Sequence, residues 1–221
     1  MKITTHWARD EEYHYPHFRH VSRRTIQIHE STGRQKLDPN NGQYIDGIYW
    51  SRQWEYPWAV QQAEPQKGAR VLDVGCGTAP FLIYLGQIGC RAYGSDPGNE
   101  GPDGLWGSED GFGAPHVVEI RKEPMSALSW EANSFDTVFC ISVLEHIESP
   151  KELESGIEEM ARVLKLGGRL IITMDEIGVG VRKSMLTIGV FTAGRKFTGC
   201  FDREYPSTKH PHHVLGMVLE K

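Results

Sequence analysis

Short apolar segments alternate with longer helix-like segments in the middle of the chain. Five segments are apolar and end in polar or glycine residues, which is typical of strands that are covered on both faces. The predicted strands are Arg70–Val74, Arg91–Ser95, His116–Ile120, Phe135–Ile141 and Arg169–Met174. Helices are predicted over Pro80–Ile88, which Gly89 ends, and over Pro150–Leu166, with Ser149 as the N-cap. Strands that alternate with helical crossovers form a parallel sheet, so the pattern predicts a doubly wound α/β fold.

The N-terminal stretch has a different pattern. Residues 1–64 are polar, aromatic and rich in histidine, without the alternation of a strand. Apolar positions between Tyr49 and Gln62 are spaced like one face of a helix. Pro57 either interrupts this helix or begins a second one. We interpret residues 1–64 as an α-helical or irregular cap that recognises the substrate, and residues 65–221 as the domain that binds the ligand.

The C-terminal stretch adds to the predicted sheet. After the fifth strand, the sequence indicates a helix near Val181–Phe191 and two strand-like segments, Lys196–Phe201 and His213–Leu219. With these segments the sheet has seven strands, most of them parallel. Residues 97–115 are rich in glycine and proline and stand where a crossover helix would follow the second strand, so we predict a long loop there.

Composition narrows the class of protein. The chain has 221 residues and a net charge of −5, whereas proteins that bind nucleic acid through its phosphates are more often basic. Its apolar runs are shorter than the roughly 18 residues of a membrane span, and no apolar signal segment is visible at the N-terminus. The four cysteines form no CxxC pair. We therefore expect a cytoplasmic protein with reduced thiols, no metal site and no membrane or nucleic-acid partner.

A glycine loop follows the first predicted strand. Gly75 and Gly77 would let the backbone turn sharply and approach a ligand closely. Asp96 ends the next strand, 21 residues after Gly75, where a carboxylate can accept hydrogen bonds from a ribose diol. Because ligands bind at the carboxyl ends of parallel strands, these residues predict a site for an adenosine-type ligand.

Two residues of this loop argue against a dinucleotide. Pro80 stands where the dinucleotide fingerprint has its third glycine, which packs the helix closely on the strand. Asp73 places a negative charge where it would repel a pyrophosphate and attract an ammonium group. The predicted ligand is therefore an adenosine joined to an amino acid.

Four segments in order resemble the motifs of class I S-adenosylmethionine-dependent methyltransferases, in particular small-molecule methyltransferases of the methyltransferase-11 type. The segments are Val71–Thr78, Tyr93–Asp96, Asn133–Ile147 and Met160–Leu170. The resemblance covers residues 69–174, about half of the chain. It implies a Rossmann-like sheet, S-adenosyl-L-methionine as cofactor and an S-adenosylmethionine-binding methyltransferase domain over residues 65–221. The implied reaction is transfer of a methyl group to an O or N atom of a small-molecule acceptor, by in-line displacement that depends on positioning.

The resemblance also implies which residues form the site. The implied cofactor-binding residues are Arg52, Tyr56, Asp73, Gly75, Cys76, Gly77, Asp96, Pro97, Glu123, Met125, Ile141 and Ser142. Asp96 would bind the ribose, the segment from Glu123 would flank the adenine, and Ser142 would face the transferred methyl group. Arg52 would meet the methionine carboxylate or close over the cofactor. His146 is the candidate general base, and the alternative is that it only caps its loop.

Two other functions stay open at this point. An NAD(P)-dependent oxidoreductase could use the same sheet, although Pro80 disfavours it. A non-catalytic S-adenosylmethionine-binding subunit would keep the pocket without turnover.

Residues 1–36 contain seven Lys and Arg against four Asp and Glu, which favours an anionic small acceptor. The sequence indicates no oligomeric state.

Overall fold

The computed structural model describes residues 2–8, 10–31, 44–45, 48–49, 51–77, 80–98, 117–175 and 214–221. The helices within these ranges are α1 (Pro16–Ser31), α2 (Arg52–Ala63), α3 (Pro80–Gln87) and α4 (Pro150–Val163). The strands are β1 (Lys2–Trp7), β2 (Tyr44–Ile45), β3 (Ile48–Tyr49), β4 (Arg70–Val74), β5 (Arg91–Ser95), β6 (Val117–Arg121), β7 (Phe135–Ile141), β8 (Leu164–Asp175) and β9 (Val214–Glu220). The predicted helix 181–191, the strand 196–201 and nearly all of the loop 97–115 lie outside the described residues.

One sheet of seven described strands has the order β1-β9-β8-β7-β4-β5-β6, and β2 pairs separately with β3. The five adjacent strands β8, β7, β4, β5 and β6 are parallel to one another. Strand β9 is antiparallel both to β8 and to β1. Six of the seven strands therefore point the same way, and the predicted α/β architecture with a mostly parallel sheet is confirmed.

The edge strand β1 was not predicted. Its residues include the strand-favouring Ile3, Thr4 and Thr5, but no clear apolar alternation. The strand forms because β9 offers it a complete antiparallel partner, from Lys2 opposite Glu220 to Trp7 opposite Leu215. This pairing joins the two ends of the chain, so no local pattern could indicate it.

Helix α2 runs without a break through Pro57, so the prediction that Pro57 interrupts the helix or begins a second one is wrong. Proline has no N–H, which leaves the carbonyl four residues earlier without its helical donor. That carbonyl belongs to Gln53, and it accepts a hydrogen bond of 2.7 Å from the Ser22 hydroxyl of α1. The neighbouring helix thus replaces the missing bond and fixes how α1 packs on α2.

Helices cover both faces of the sheet. Helices α1, α2 and α3 bury their apolar residues on the face that includes Val71, and α4 packs on the face that includes Leu72. Ser149 caps α4 by accepting from the backbone N–H of Glu152 at 3.3 Å, as predicted. The helix ends at Val163 rather than Leu166, because the next residues already pair with β7.

Candidate functional site

The glycine loop lies at the carboxyl end of β4, in the middle of the sheet. Gly75 and Gly77 have φ angles of +73° and +48°, in the region that favours glycine. A Cβ on Gly75 would also overlap the side chain of Val143. The N–H groups of Gly75 and Cys76 donate to the Ser95 carbonyl at 2.7 and 3.1 Å, which holds the loop against the end of β5.

Asp96 binds this loop from the neighbouring strand end. Its Oδ2 accepts from the Gly77 N–H and its Oδ1 from the Gly98 N–H, both at 3.0 Å. A carboxylate oxygen has two lone-pair sites, so these bonds orient Asp96 and leave it capacity for the hydroxyls of a ribose. Pro97, between Asp96 and Gly98 in the sequence, is exposed to solvent.

Asp73 is the buried acid of the site. Its residue is only 3% exposed, and burial raises the pKa of its carboxyl to about 8. The charge of Asp96 adds to the increase, and the charge of Arg52 opposes it. At pH 7 this carboxyl is therefore mostly protonated. A buried acid with a strongly shifted pKa at a ligand-binding edge is typical of a functional group.

The first turn of α2 reaches the same edge of the sheet. The Arg52 guanidinium contacts Glu55 and Ser142 through Nη1, and its Nη1 donates to the Ser51 hydroxyl at 3.3 Å. Its charge also acts on Tyr56, one turn along the helix, by lowering the pKa of the phenol against the effect of burial. Arg52 and Tyr56 of α2 are thus in one cluster with Ser142, which is far from both of them in sequence.

Tyr56 is held rigidly on this helix. Its ring stacks on Phe81 of α3, with centroids 4.7 Å apart and an angle of 7° between the ring planes. Burial raises the pKa of its phenol well above the ordinary value. The phenol is therefore protonated at neutral pH and acts as a neutral hydrogen-bonding group.

Glu55 is a member of the cluster that the sequence analysis missed. Its residue is 0% exposed. Its Oε1 accepts from the Ser142 hydroxyl at 2.7 Å and from the Thr173 hydroxyl at 2.6 Å, while Oε2 pairs with Arg52. The sequence does contain a signal for it, because Glu55 stands between the aromatic residues Trp54 and Tyr56. A carboxylate that is buried among such side chains needs charged or hydrogen-bonding partners.

His146 lies in a 3₁₀ turn, Leu144–His146, just after β7. Its backbone N–H donates to the Val143 carbonyl at 3.0 Å. Partial burial lowers the pKa of its ring below the ordinary value, and the charge of Arg52 lowers it further. A neutral imidazole at pH 7 is the form that a general base requires, and the catalytic role of His146 stays a prediction.

The other predicted residues lie in two different environments. Ile141 is buried at the end of β7, and Cys76 is buried against Gly94, with burial raising the pKa of its thiol. The Glu123 carboxylate binds the Ser129 hydroxyl at 2.5 Å, and Met125 packs under Gly156 of α4. Glu123 and Met125 are therefore engaged with their own loop and with the core.

That loop nevertheless adjoins Asp96. The N–H of Asp96 donates to the Arg121 carbonyl at 3.1 Å, and the Lys122 side chain lies where a Cβ on Gly98 would stand. The segment after β6 is thus beside the segment after β5, as a flank of the adenine would be. The contribution of single residues there stays a prediction.

A cavity of about 480 Å³ lies at the opposite edge of the sheet. It is lined by residues from the end of α2 to the start of β4, with Asp136 and Arg169 among them. Both charged side chains already have protein partners. Asp136 pairs with Lys165 at 2.6 Å, and Arg169 donates to the Gln62 carbonyl at 2.7 Å. This cavity contains none of the predicted site residues.

The described residues include neither a membrane-spanning helix nor a metal-binding cluster. No helix described here is long and apolar enough to cross a membrane. Likewise, the described part of the chain contains no group of three or more His, Cys, Asp or Glu residues arranged to hold a metal ion.

Known proteins resemble this chain over its central part. A family model described as "Methyltransferase domain" matches residues 72–172. The tRNA U34 carboxymethyltransferase of Hydrogenovibrio crunogenus is 33% identical over 141 residues, which cover 58% of this chain and 40% of that protein. The ubiquinone biosynthesis O-methyltransferase of Chelativorans sp. is 27% identical over 126 residues, which cover 54% of this chain and 47% of that protein. The chain thus spans less than half the length of the curated relatives it matches.

A solved structure extends the likeness of the fold. The S-adenosylmethionine-dependent methyltransferase from Aquifex aeolicus superposes with a TM-score of 0.55 and 21% identity. The match covers 76% of this chain and 92% of that one, so the fold is shared over more than the family model spans.

Proposed function

Because the chain belongs to the class I S-adenosylmethionine-dependent methyltransferases, we propose that it catalyses methyl transfer from that cofactor, with the carboxyl edge of β4, β5 and β7 as its site. One observation carries the proposal. Three groups suited to the cofactor lie together: Asp96 for the ribose hydroxyls, buried Asp73 for the ammonium and the Arg52 cation for the carboxylate. The charges fit an adenosine joined to an amino acid better than they fit a pyrophosphate.

The residues of the chain supply binding and alignment. S-adenosylmethionine brings an electrophilic methyl carbon on its sulfonium when it is bound. Asp96 and the glycine loop would hold the adenosine end of the cofactor, and Arg52 would hold its amino-acid end. Positioning of this kind contributes on the order of 7–11 kcal/mol in favourable cases. His146 would take a proton from an acceptor that arrives protonated.

The acceptor that we infer first is a small molecule with an O or N nucleophile. Methyl transfer to oxygen in the ubiquinone-pathway relative supports it. The cluster around Arg52 is also mostly buried, which suits an acceptor that enters the site entirely.

A nucleic-acid acceptor is the second candidate, and one observation favours it. Helix α1 exposes Arg19, Arg23 and Arg24, and the sequence from Pro16 to His29 contains no acid. A helix face whose charged side chains are all positive suits a polyanion such as a nucleic acid. Several relatives are named as tRNA enzymes, which agrees with this alternative.

Titration with S-adenosylmethionine and S-adenosylhomocysteine tests the cofactor. Asp96→Asn should weaken both by about ten- to hundredfold, because a hydrogen bond to a charged group contributes roughly 1.5–3 kcal/mol. Glu131→Gln is the matched control and should bind normally, because this exposed acid precedes the amino end of β7, whereas the proposed site is at the carboxyl end. Equal affinities for Asp96→Asn and the wild type would contradict the proposed site.

Transfer of a labelled methyl group separates the two acceptors. Extracted small molecules and total tRNA are offered in parallel, with the triple variant Arg19→Gln, Arg23→Gln, Arg24→Gln beside the wild type. A small-molecule enzyme labels the first pool and leaves tRNA unlabelled in both proteins. An RNA enzyme labels tRNA, and the triple variant loses that labelling while keeping its affinity for S-adenosylhomocysteine.

A further inference from the structure

A buried carboxylate connects three elements at the proposed site. Glu55 belongs to α2, its Ser142 partner directly follows β7, and its Thr173 partner belongs to β8. An ionised carboxylate that is fully buried destabilises a protein unless charges and hydrogen bonds compensate it. Two hydroxyl donors and the Arg52 cation provide that compensation here.

The arrangement constrains Ser142 completely. Its backbone is in the left-handed region at φ +48°, and its N–H donates to the Thr173 carbonyl at 3.0 Å. Its hydroxyl proton points to Glu55, and its oxygen accepts from Arg52. Ser142 is therefore part of a fixed support and not a group that takes a proton from an acceptor.

The arrangement also sets the direction of Arg52. An arginine side chain has several rotatable bonds, and ordering it on binding a ligand lowers affinity. Here Glu55 and Ser142 already hold Nη1 in the free protein. The side chain of Arg52 is 21% exposed, so the guanidinium is half-buried at the site and not extended into solvent.

We propose that Glu55 is a positioning residue, which pre-orients the Arg52 guanidinium over the end of β7 to bind the carboxylate of the cofactor's amino-acid end. This inference rests on the proposed function. Glu55 acts through Arg52 and touches no reacting atom, because both of its oxygens are occupied by protein donors. Its effect is therefore confined to ligands that have the carboxylate.

Two ligands that differ only at this end test the inference. S-adenosylhomocysteine has the amino-acid end, and 5′-methylthioadenosine has the same adenosine and thioether without it. Glu55→Gln should weaken S-adenosylhomocysteine at least tenfold and change 5′-methylthioadenosine less than twofold. Glu64→Gln, an exposed glutamate just after the same helix, is the matched control and should change neither. Similar losses for both ligands, or no loss, would overturn the inference.

A double-variant cycle checks that Glu55 acts through Arg52. Arg52→Gln should lose the same selective affinity, and Arg52→Gln with Glu55→Gln should bind no more weakly than Arg52→Gln alone. Additive losses would overturn the inference. Circular dichroism shows whether Glu55→Gln folds. If it does not, Thr173→Val is used instead, because it removes one of the two hydroxyl donors to Glu55. This variant should lose less affinity, and only for S-adenosylhomocysteine. A wild type that binds neither ligand would refute the proposed function itself.

Discussion

The protonated state of Asp73 predicts that cofactor binding releases a proton. Burial raises the pKa of this carboxyl to about 8 in the free protein, with a further contribution from Asp96. An ammonium group placed beside it would favour the ionised form, because an opposite charge in a buried site lowers the pKa of an acid. Binding at neutral pH should therefore convert Asp73 from carboxylic acid to carboxylate.

The size of the effect follows from the pKa. With a pKa of about 8, roughly 0.9 of the Asp73 carboxyls are protonated at pH 7, so binding should release about 0.9 protons. The ionised fraction increases about ninefold between pH 6 and pH 7, and the affinity should increase in proportion. The increase should level off above about pH 8, because most of the Asp73 carboxyls are then already ionised in the free protein.

Calorimetry in buffers of different ionisation enthalpy measures this proton directly. At pH 7 the observed enthalpy should change with buffer by an amount that corresponds to nearly one proton. Asp73→Asn should bind more weakly, with little dependence on buffer or on pH below 7, and Glu131→Gln should behave like the wild type. Tight binding by the wild type without proton release would refute the reasoning, since Asp73 would then be ionised already or distant from the ammonium.

Three further outcomes are expected from the same structure. An acid with a raised pKa makes the folded state bind a proton more tightly than the unfolded state, so the free energy of unfolding should fall from about pH 4 to pH 8 by up to ~1.4 kcal/mol per pH unit. Urea unfolding of Asp73→Asn should lack this fall. Ser22→Ala should lose about 1–3 kcal/mol in the same assay, and less in a Pro57→Ala background, where the helical N–H is restored. Gly77→Ala should lose about 1–2 kcal/mol from its positive φ alone, and Gly75→Ala more, because its Cβ also meets a side chain.

The elements that the sequence predicts well are those whose pattern is local. The bounds of β4, β5 and β7 agree with the prediction, because each is an apolar run between polar or glycine residues. The end of α4 does not, because Leu164–Leu166 suit a helix as well as a strand. Pairing of Leu164 with Phe135 decides in favour of the strand, and that contact is made by a segment about thirty residues away.

The residues of the site likewise include some that a local pattern predicts and some that it does not. Asp73 lies near the end of β4, and Gly75, Gly77 and Asp96 follow strand ends. A parallel sheet places strand ends together, so their proximity was predictable. Glu55 meets Ser142 and Thr173 from 87 and 118 residues away. Only the docking of α2 on β7 and β8 creates that contact, and no spacing in the sequence encodes it.

The structure changes how the N-terminal stretch has to be tested. Removing residues 1–48 would remove β1, which pairs with β9, and α1, whose Ser22 supplies the hydrogen bond that Pro57 removes from α2. Helix α2 would then lose support, and with it the Arg52 cluster, so loss of turnover in a truncated protein could not be assigned to acceptor recognition. Substitutions on the exposed face of α1 leave these contacts intact. They are therefore the variants that can separate recognition of the acceptor from assembly of the site.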